Sequence, residues 1–278
     1  MVYTEYGFDS SLLPSLQAIK ERVALNKAAL IIIDGGVGEG KTTLACEIAS
    51  WYQKGWLDKV EDLLAMGGTD FTKKLEKAAA KREKVVVYDE GGDFASRSAL
   101  TRFNSTMNRI FETYRSTQIL VILCLPDFSD LDKSLMKKRI ARLLLHTKDR
   151  KKTYGRIMFY SLWRMWYLKA KMKEVTVPPQ AYSMVTPNGR GLFKDLPEEY
   201  RNRLEKISNK GKSKIRKESY AKEKGLISSD DAAKRMGIAK ATFWSKYSAS
   251  LKEKEKIGSL KFYSIEDVDN LRNNRASS

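Results

Sequence analysis

A short apolar run, Leu30-Ile31-Ile32-Ile33-Asp34, leads directly into Gly35-Gly36-Val37-Gly38-Glu39-Gly40-Lys41-Thr42 and then into Thr43-Leu44-Ala45-Cys46-Glu47-Ile48-Ala49-Ser50. The β-branched run reads as a buried strand and the last stretch as a helix, so the glycines occupy a strand-to-helix turn with the spacing GxxxxGKT. Few folds accommodate such a turn. Glycine lets successive backbone N–H groups curl toward one point, and the helix that follows aims the positive end of its dipole at the same place. A phosphate chain matches that charge, with Gly35, Gly36, Val37, Gly38, Glu39, Gly40, Lys41, Thr42 and Thr43 as its cradle. Lys41 is placed to reach the outer phosphates, and the Thr42 hydroxyl suits Mg2+. The expected ligands are ATP and Mg2+. An ordinary glycine-rich turn would lack the buried strand before it and the helix after it.

A site of this kind needs a carboxylate from a second buried strand, and Val85-Val86-Val87-Tyr88-Asp89-Glu90 supplies one. Asp89 is expected to hold the metal, and Glu90 to orient and deprotonate an attacking water. A third run, Ile119 to Leu125, stops at Pro126-Asp127 and is expected beside the Asp89 strand. Leu143 to Thr147 and Arg156 to Ser161 flank a turn and read as a hairpin that closes the sheet. The segments Lys54 to Met66, Thr72 to Lys84 and Ser98 to Arg115 have helical apolar spacing. Strands alternating with helices define a parallel, three-layer α/β sheet.

From about Ala28 to Leu168 the order of motifs resembles the FtsK–HerA group of DNA-pumping ATPases, including its Zot-like and viral packaging branches. The resemblance rests on Walker A at Gly35–Thr42, Walker B with Asp89 and Glu90 adjacent, the segment ending Arg115-Ser116-Thr117-Gln118, and the run Leu125-Pro126-Asp127 to Asp132. It implies a RecA-like P-loop NTPase core of the ASCE class, a hexameric ring, double-stranded DNA as the moved substrate, and an arginine supplied across each subunit boundary. Arg102, Arg109, Arg115, Arg139 and Arg142 are candidates for that arginine, with Arg115 and Arg139 favoured. Where such proteins often carry Gln, Asn or Thr beside Walker B, this strand ends Cys124-Leu125-Pro126, which leaves Asp127 or Gln118 for that role.

Lys and Arg number 52 against 34 Asp and Glu, a net charge of +18, which favours a polyanionic partner and nucleic acid first. The charge is concentrated: residues 201–278 hold 20 Lys and Arg against 10 Asp and Glu. Two cysteines and one histidine sit at no metal-ligand spacing, which points to a reducing, cytoplasmic setting without a structural metal. The longest apolar run is far below the roughly 20 residues that cross a bilayer, and the acidic amino terminus has no signal-peptide pattern. Neither a membrane span nor secretion is expected. His146 reads as a satisfied strand-end residue. The basic cluster Lys137, Lys138, Arg139, Arg142, Lys148, Arg150, Lys151 and Lys152 could track a phosphate backbone or simply be a solvated face. Tyr160 to Lys169 interleaves aromatics with cations, and reads first as sheet-covering core, with base stacking as the alternative.

Val177-Pro178-Pro179, Pro187 to Gly191 and Ser208 to Lys214 read as irregular connection and then a polar tether. The expected organisation is an ATPase domain over 1–207, a basic linker over 208–224, and a small domain over 225–278. In that domain a capping Ser228 opens a short helix, Gly237-Ile238-Ala239 turns the chain, and Lys240 to Tyr247 forms a second helix. Ile257 to Tyr263 fits a wing, and a Ser264/Asp267 capping box starts a last helix. The stretch resembles the MerR- and excisionase-like winged helix-turn-helix modules, which implies that Lys240, Thr242, Phe243, Ser245, Lys246 and Lys261 touch DNA.

These readings converge on an ATP-hydrolysing DNA motor or remodelling ATPase of a mobile element, virus or plasmid, with an accessory DNA-processing protein as a further partner. An AAA+-type loader of a helicase or transposase, and an ATP-controlled DNA-binding regulator, are the alternatives.

Overall fold

The computed structural model describes residues 2–89, 110–111, 117–148, 154–248, 251, 255–257 and 260–276. The chain separates into two compact units, Met1–Ser208 and Asn209–Ser278. The larger unit is built on seven strands: β1 (Leu30–Asp34), β2 (Leu64–Met66), β3 (Val85–Asp89), β4 (Leu120–Leu125), β5 (Ala141–Lys148), β6 (Tyr154–Ser161) and β7 (Gly189–Lys194). They lie in the order β2-β3-β4-β1-β5-β6-β7. The first five in that order run parallel, and β6 and β7 pair antiparallel. This is the three-layer α/β class read from the sequence.

Centrality explains the composition of β1, in which all five residues are buried. A strand covered on both faces needs apolar side chains at every position, and each such side chain stabilises by about 1.5–3 kcal/mol on leaving water. Helices α1 (Leu13–Ala24) and α2 (Lys41–Tyr52) contribute Leu16, Ile19, Val23, Leu44 and Ile48 to the same core. As expected, β4 lies beside β3, and it separates β3 from β1. The register puts Asp34 level with Leu125 and Asp89 level with Cys124, so both carboxylates end their strands at the same edge of the sheet.

Several local expectations need correction. Lys54 to Met66 is not one helix: a 3-10 turn (Leu57–Lys59) and one helical turn (Val60–Leu63) run into the edge strand β2. Its three residues are too short for a period to show. The Gly189–Gly191 stretch is a strand rather than irregular connection, because two of its neighbours are aromatic. Gly189 pairs with Phe159 and Gly155 with Phe193, and a Cβ at either glycine would meet the opposing ring at 2.1 or 2.3 Å. Each phenyl ring covers the bare backbone of the next strand. Residues 7–9 then bond to Leu192 and Lys194, covering much of the β7 edge. The run 208–214 is helical, within Glu198–Glu223, since Lys, Glu, Arg and Ser outweigh the single Gly211 and no proline intervenes.

The smaller unit has its own core of Ala232, Ala233, Met236, Phe243, Leu251, Tyr263 and Val268. A three-stranded sheet joins β8 (Leu226–Ser228), β10 (Leu260–Ser264) and β9 (Glu255–Ile257) in that order. Helix Ser229–Arg235 is capped by Ser228, whose Oγ accepts from the Asp231 N–H at 3.2 Å. Gly237 at φ +65° turns the chain into Lys240–Thr242, which continues as a π-helical turn, Phe243–Tyr247. Ser264 caps the last helix, Ile265–Ala276, through the Asp267 N–H.

Candidate functional site

The glycine loop leaves β1 at the carboxyl edge of the sheet, where open α/β folds place their ligands. Its backbone is left-handed at Gly35 (φ +144°), Gly38 (φ +83°) and Gly40 (φ +81°). At Gly35 the requirement is double: a Cβ there would lie 2.6 Å from the Thr147 carbonyl oxygen on β5. Gly40 is the N-cap of α2 and offers no side chain to the first turn, so that turn's N–H groups face the loop, the arrangement that binds phosphate. Gly36, Val37 and Gly38 are exposed, whereas Thr43 is buried. Lys41 Nζ donates to the carbonyls of Gly35 (2.7 Å) and Gly36 (2.8 Å), which holds the ammonium against the loop.

From the opposite side, Thr42 Oγ1 donates to Asp89 Oδ2 at 2.7 Å. Residues 47 positions apart thus meet because α2 begins, and β3 ends, at the same edge. Two hard oxygen donors together suit Mg2+, which takes few protein ligands and keeps several waters. The residues present therefore fit both nucleotide and metal, with Thr42 and Asp89 as the protein's oxygens. Cys46, one turn into α2, is pushed well above the usual thiol range by burial and then by Asp89. It is a packing residue.

A second cluster adjoins the loop, and sequence reasoning missed it. Asp34 is 1% exposed. Its Oδ2 accepts the Phe128 N–H at 3.1 Å and the Tyr182 hydroxyl, and its Oδ1 lies 3.0 Å from His146 Nδ1. His146 stacks on Tyr182 at 3.7 Å and 16°. Burial, and then Asp34, raise the Tyr182 phenol well above its ordinary range, so it stays a donor. Thr147 Oγ1 donates to the Asp34 carbonyl at 3.0 Å. The signal was present: a carboxylate closing an otherwise apolar buried strand must be satisfied. Lys169, also missed, is buried and donates to the carbonyls of Phe128 (2.9 Å), Ser129 (2.6 Å) and Leu131 (2.7 Å). Burial lowers its ammonium to about 8, against the opposing pull of Asp127 and Asp130. It fixes the loop that carries Phe128.

Other expected site residues are placed differently. Glu90, Arg102, Arg109, Arg115, Arg150, Lys151 and Lys152 lie outside the described residues. Gln118 cannot stand in for a residue beside Asp89: it precedes β4 at the opposite sheet edge, where its amide donates to Ala24 O and Asn26 Oδ1. Asp127 follows β4 at the correct edge and caps Phe128–Asp130 through the Ser129 N–H. Arg139 precedes β5, whose Ala141 pairs with the first residue of β1, so it lies at the edge away from its own glycine loop. It is exposed there with Arg22 nearby, whose guanidinium donates to the Arg139 carbonyl.

In the smaller unit Phe243 is fully buried and meets the Tyr263 ring edge-on at 5.4 Å. Its expected role at a DNA surface is therefore corrected: it is core, packed with Ala232 and Ala233 of the first helix and with Met236 just after it. Trp244, one position on, is the exposed aromatic, with Lys261 Nζ 5.8 Å above its ring. Ser245 and Lys246 are exposed, Thr242 is half-buried, and Lys240 pairs with Asp230 at 2.6 Å.

The strand order and the loop define a P-loop α/β core, joined in one chain to a small unit with a core of its own. No protein-family model matches the chain, and no curated protein matches it in sequence. Among solved structures it is similar to the flagellar accessory protein FlaH from Methanocaldococcus jannaschii (16% identity over 52% of this chain and 83% of that one, TM-score 0.29). It is also similar to the AAA domain of FIGL-1 in complex with ADP (13% identity, 74% and 89%, TM-score 0.34) and to a DNA replication initiation factor (14% identity, 96% and 90%, TM-score 0.30). At these TM-scores the likeness carries no argument about activity. Among the described residues, no helix is long and apolar enough to cross a membrane.

Proposed function

We propose that the chain binds and hydrolyses ATP at the Gly35–Thr43 loop and uses the turnover to move or remodel double-stranded DNA, as a ring-forming motor of a mobile element, virus or plasmid. The observation that carries the reading is the 2.7 Å hydrogen bond between Thr42 Oγ1 and Asp89 Oδ2 at the mouth of a left-handed glycine loop. In this reading the loop N–H groups and Lys41 bind the phosphate chain, and Thr42 and Asp89 are the residues that would hold Mg2+, which would supply charge neutralisation for the phosphates. Glu90, next after Asp89 in sequence, orients and deprotonates the attacking water. Arg115 or Arg139 supplies the guanidinium from a neighbouring subunit, since Arg139 is remote from the glycine loop of its own chain.

Duplex DNA enters through the basic balance of the chain and through the smaller unit. Thr242, Ser245 and Lys246 on the second helix, Lys240 at its start and Lys261 on the wing are the residues that meet it. The test is ATP turnover by the full chain with increasing duplex DNA. A rate that rises severalfold and saturates supports a DNA-driven motor, and a rate indifferent to DNA overturns it. An ATP-switched loader or DNA-binding regulator is the second reading, favoured by the separate core of the smaller unit. It expects ATP to change DNA affinity without strand movement, which a triplex-displacement assay separates from translocation.

A further inference from the structure

The helix Leu162–Lys171 packs against the sheet with one face and leaves two aromatic rings in solvent. Met165 and Leu168 are fully buried and Trp166 is half-buried against the core. Trp163, by contrast, is 79% exposed and Tyr167 is 52% exposed. They stand four residues apart, so the rings are neighbours on one stripe of the helix. The expectation that this segment's aromatics simply cover the sheet therefore holds for its inner face and fails for its outer one.

Cations surround the two rings. Arg164 is exposed within the same turn, and Lys171 Nζ lies 5.7 Å from the Tyr167 centroid while pairing with Glu174 at 2.7 Å. Just beyond the helix, the Lys173 amino group closely approaches that of Lys133, and this contact and its positive charge hold the Lys133 ammonium below its ordinary range. Two like charges facing each other in solvent leave a position that an anion relieves. The nearby acids Asp127, Asp130 and Asp132 face the buried Lys169.

We propose that this outer stripe, Trp163 and Tyr167 with Arg164, Lys171, Lys173 and Lys133, binds single-stranded nucleic acid. Two protruding rings on a convex helix offer π-faces, and only unpaired, splayed bases can stack on them. The backbone of a duplex presents phosphates and no ring face. The cations lie at the side and end of the stripe, where the phosphates of a stacked strand run. The assignment requires no nucleotide hydrolysis.

The experiment measures dissociation constants of the full chain for a fluorescein-labelled 30-mer of deoxythymidine, of uridine, and of a duplex, without ATP. The variants are Trp163→Ala/Tyr167→Ala, Trp163→Phe/Tyr167→Phe, Lys133→Ala/Lys173→Ala and Lys41→Ala. Removing both rings is expected to weaken single-strand binding by about tenfold or more. The phenylalanine pair is expected to stay within about threefold of wild type, as rings of any kind stack. The lysine pair should reduce the salt slope by roughly 0.7 for each phosphate that is no longer neutralised. Lys41→Ala should bind single strands as wild type does, so a failed hydrolysis reading leaves this result standing. Deoxythymidine and uridine strands binding alike indicate stacking without sugar recognition, and a strong preference for either names the sugar read. Single-strand affinity within twofold of wild type in the alanine pair overturns the proposal. So does a fall in light-scattering mass in that pair with single-strand binding intact, which would make the stripe an interface between copies.

Discussion

Asp34, the last residue of β1, accepts the backbone N–H of Phe128 at 3.1 Å across 94 positions of sequence. The residue that launches the glycine loop is thereby tied to the turn that follows β4. His146 on β5 and Tyr182 bond to the same carboxylate, so three segments converge on one buried charge. Replacing it leaves the Phe128 N–H and the Tyr182 hydroxyl buried without their acceptor, and takes the partner from half-buried His146. Asp34→Ala is expected to lower the unfolding free energy by about 3 kcal/mol, and Tyr182→Phe by about 1 kcal/mol. Denaturant titrations of both variants check this, and an Asp34→Ala loss below Tyr182→Phe would contradict the shared-acceptor arrangement.

Lys169 provides a pH signature. In the unfolded chain its ammonium titrates near the ordinary 10.5, whereas in the folded protein burial brings it to about 8. Between those values the unfolded state holds the extra proton, so the unfolding free energy contributed by this group rises with pH from about 8 to 10.5. Lys169→Met removes the donor to three carbonyls and is expected to cost about 2–4 kcal/mol. The gap between wild type and this variant should widen from about pH 8 to about pH 10. A gap that narrows would mean that the folded ammonium titrates above the unfolded one.

The glycine loop separates two kinds of constraint. At Gly35 a methyl group meets the Thr147 carbonyl oxygen at 2.6 Å, backbone that cannot step aside, whereas a methyl group at Gly38 meets nothing within 4 Å. Gly38→Ala therefore carries only the cost of left-handed backbone, about 1–2 kcal/mol. Gly35→Ala should also abolish nucleotide binding, measured by calorimetry, while Gly38→Ala weakens it by about tenfold. Equal affinities for the two variants would show that the loop is not held against β5.

Adjacent aromatics in the smaller unit give opposite expectations. Phe243→Ala empties its core and should cost about 3–5 kcal/mol, enough to unfold that unit. Trp244→Ala should leave its melting unchanged and lower duplex affinity by a few fold. Circular dichroism and DNA titration of the two variants distinguish core from surface.

Much of the fold was legible in the residues. The strand, loop and helix at Leu30 to Ser50, the partner strand at Val85 to Asp89, and the hairpin of β5 and β6 all carry periods long enough to read. The three-residue β2 and the glycine-bearing β7 do not: one is too short, and the other is held by phenyl rings contributed from β6 and from β7 itself. At the site, spacing alone pointed to Lys41, Thr42 and Asp89. Asp34, Tyr182 and Lys169 escaped because their partners are 148 and about 40 positions away, and a single buried charge has no period. Phe243 was mistaken for a surface residue because a helix of about eight residues allows several choices of inward face.

Thr42 and Asp89 are expected to act together on Mg·ATP. This is tested most directly by ATP turnover across a Mg2+ titration for wild type, Thr42→Val, Asp89→Ala and the double variant. Wild type should show Mg2+-dependent turnover, and each single variant should lose roughly 100-fold or more. The double variant should lose little beyond that, as groups serving one step do. Wild-type protein that neither binds nor hydrolyses ATP, or single variants that turn over within twofold of it, would show that Thr42 and Asp89 do not serve such a site.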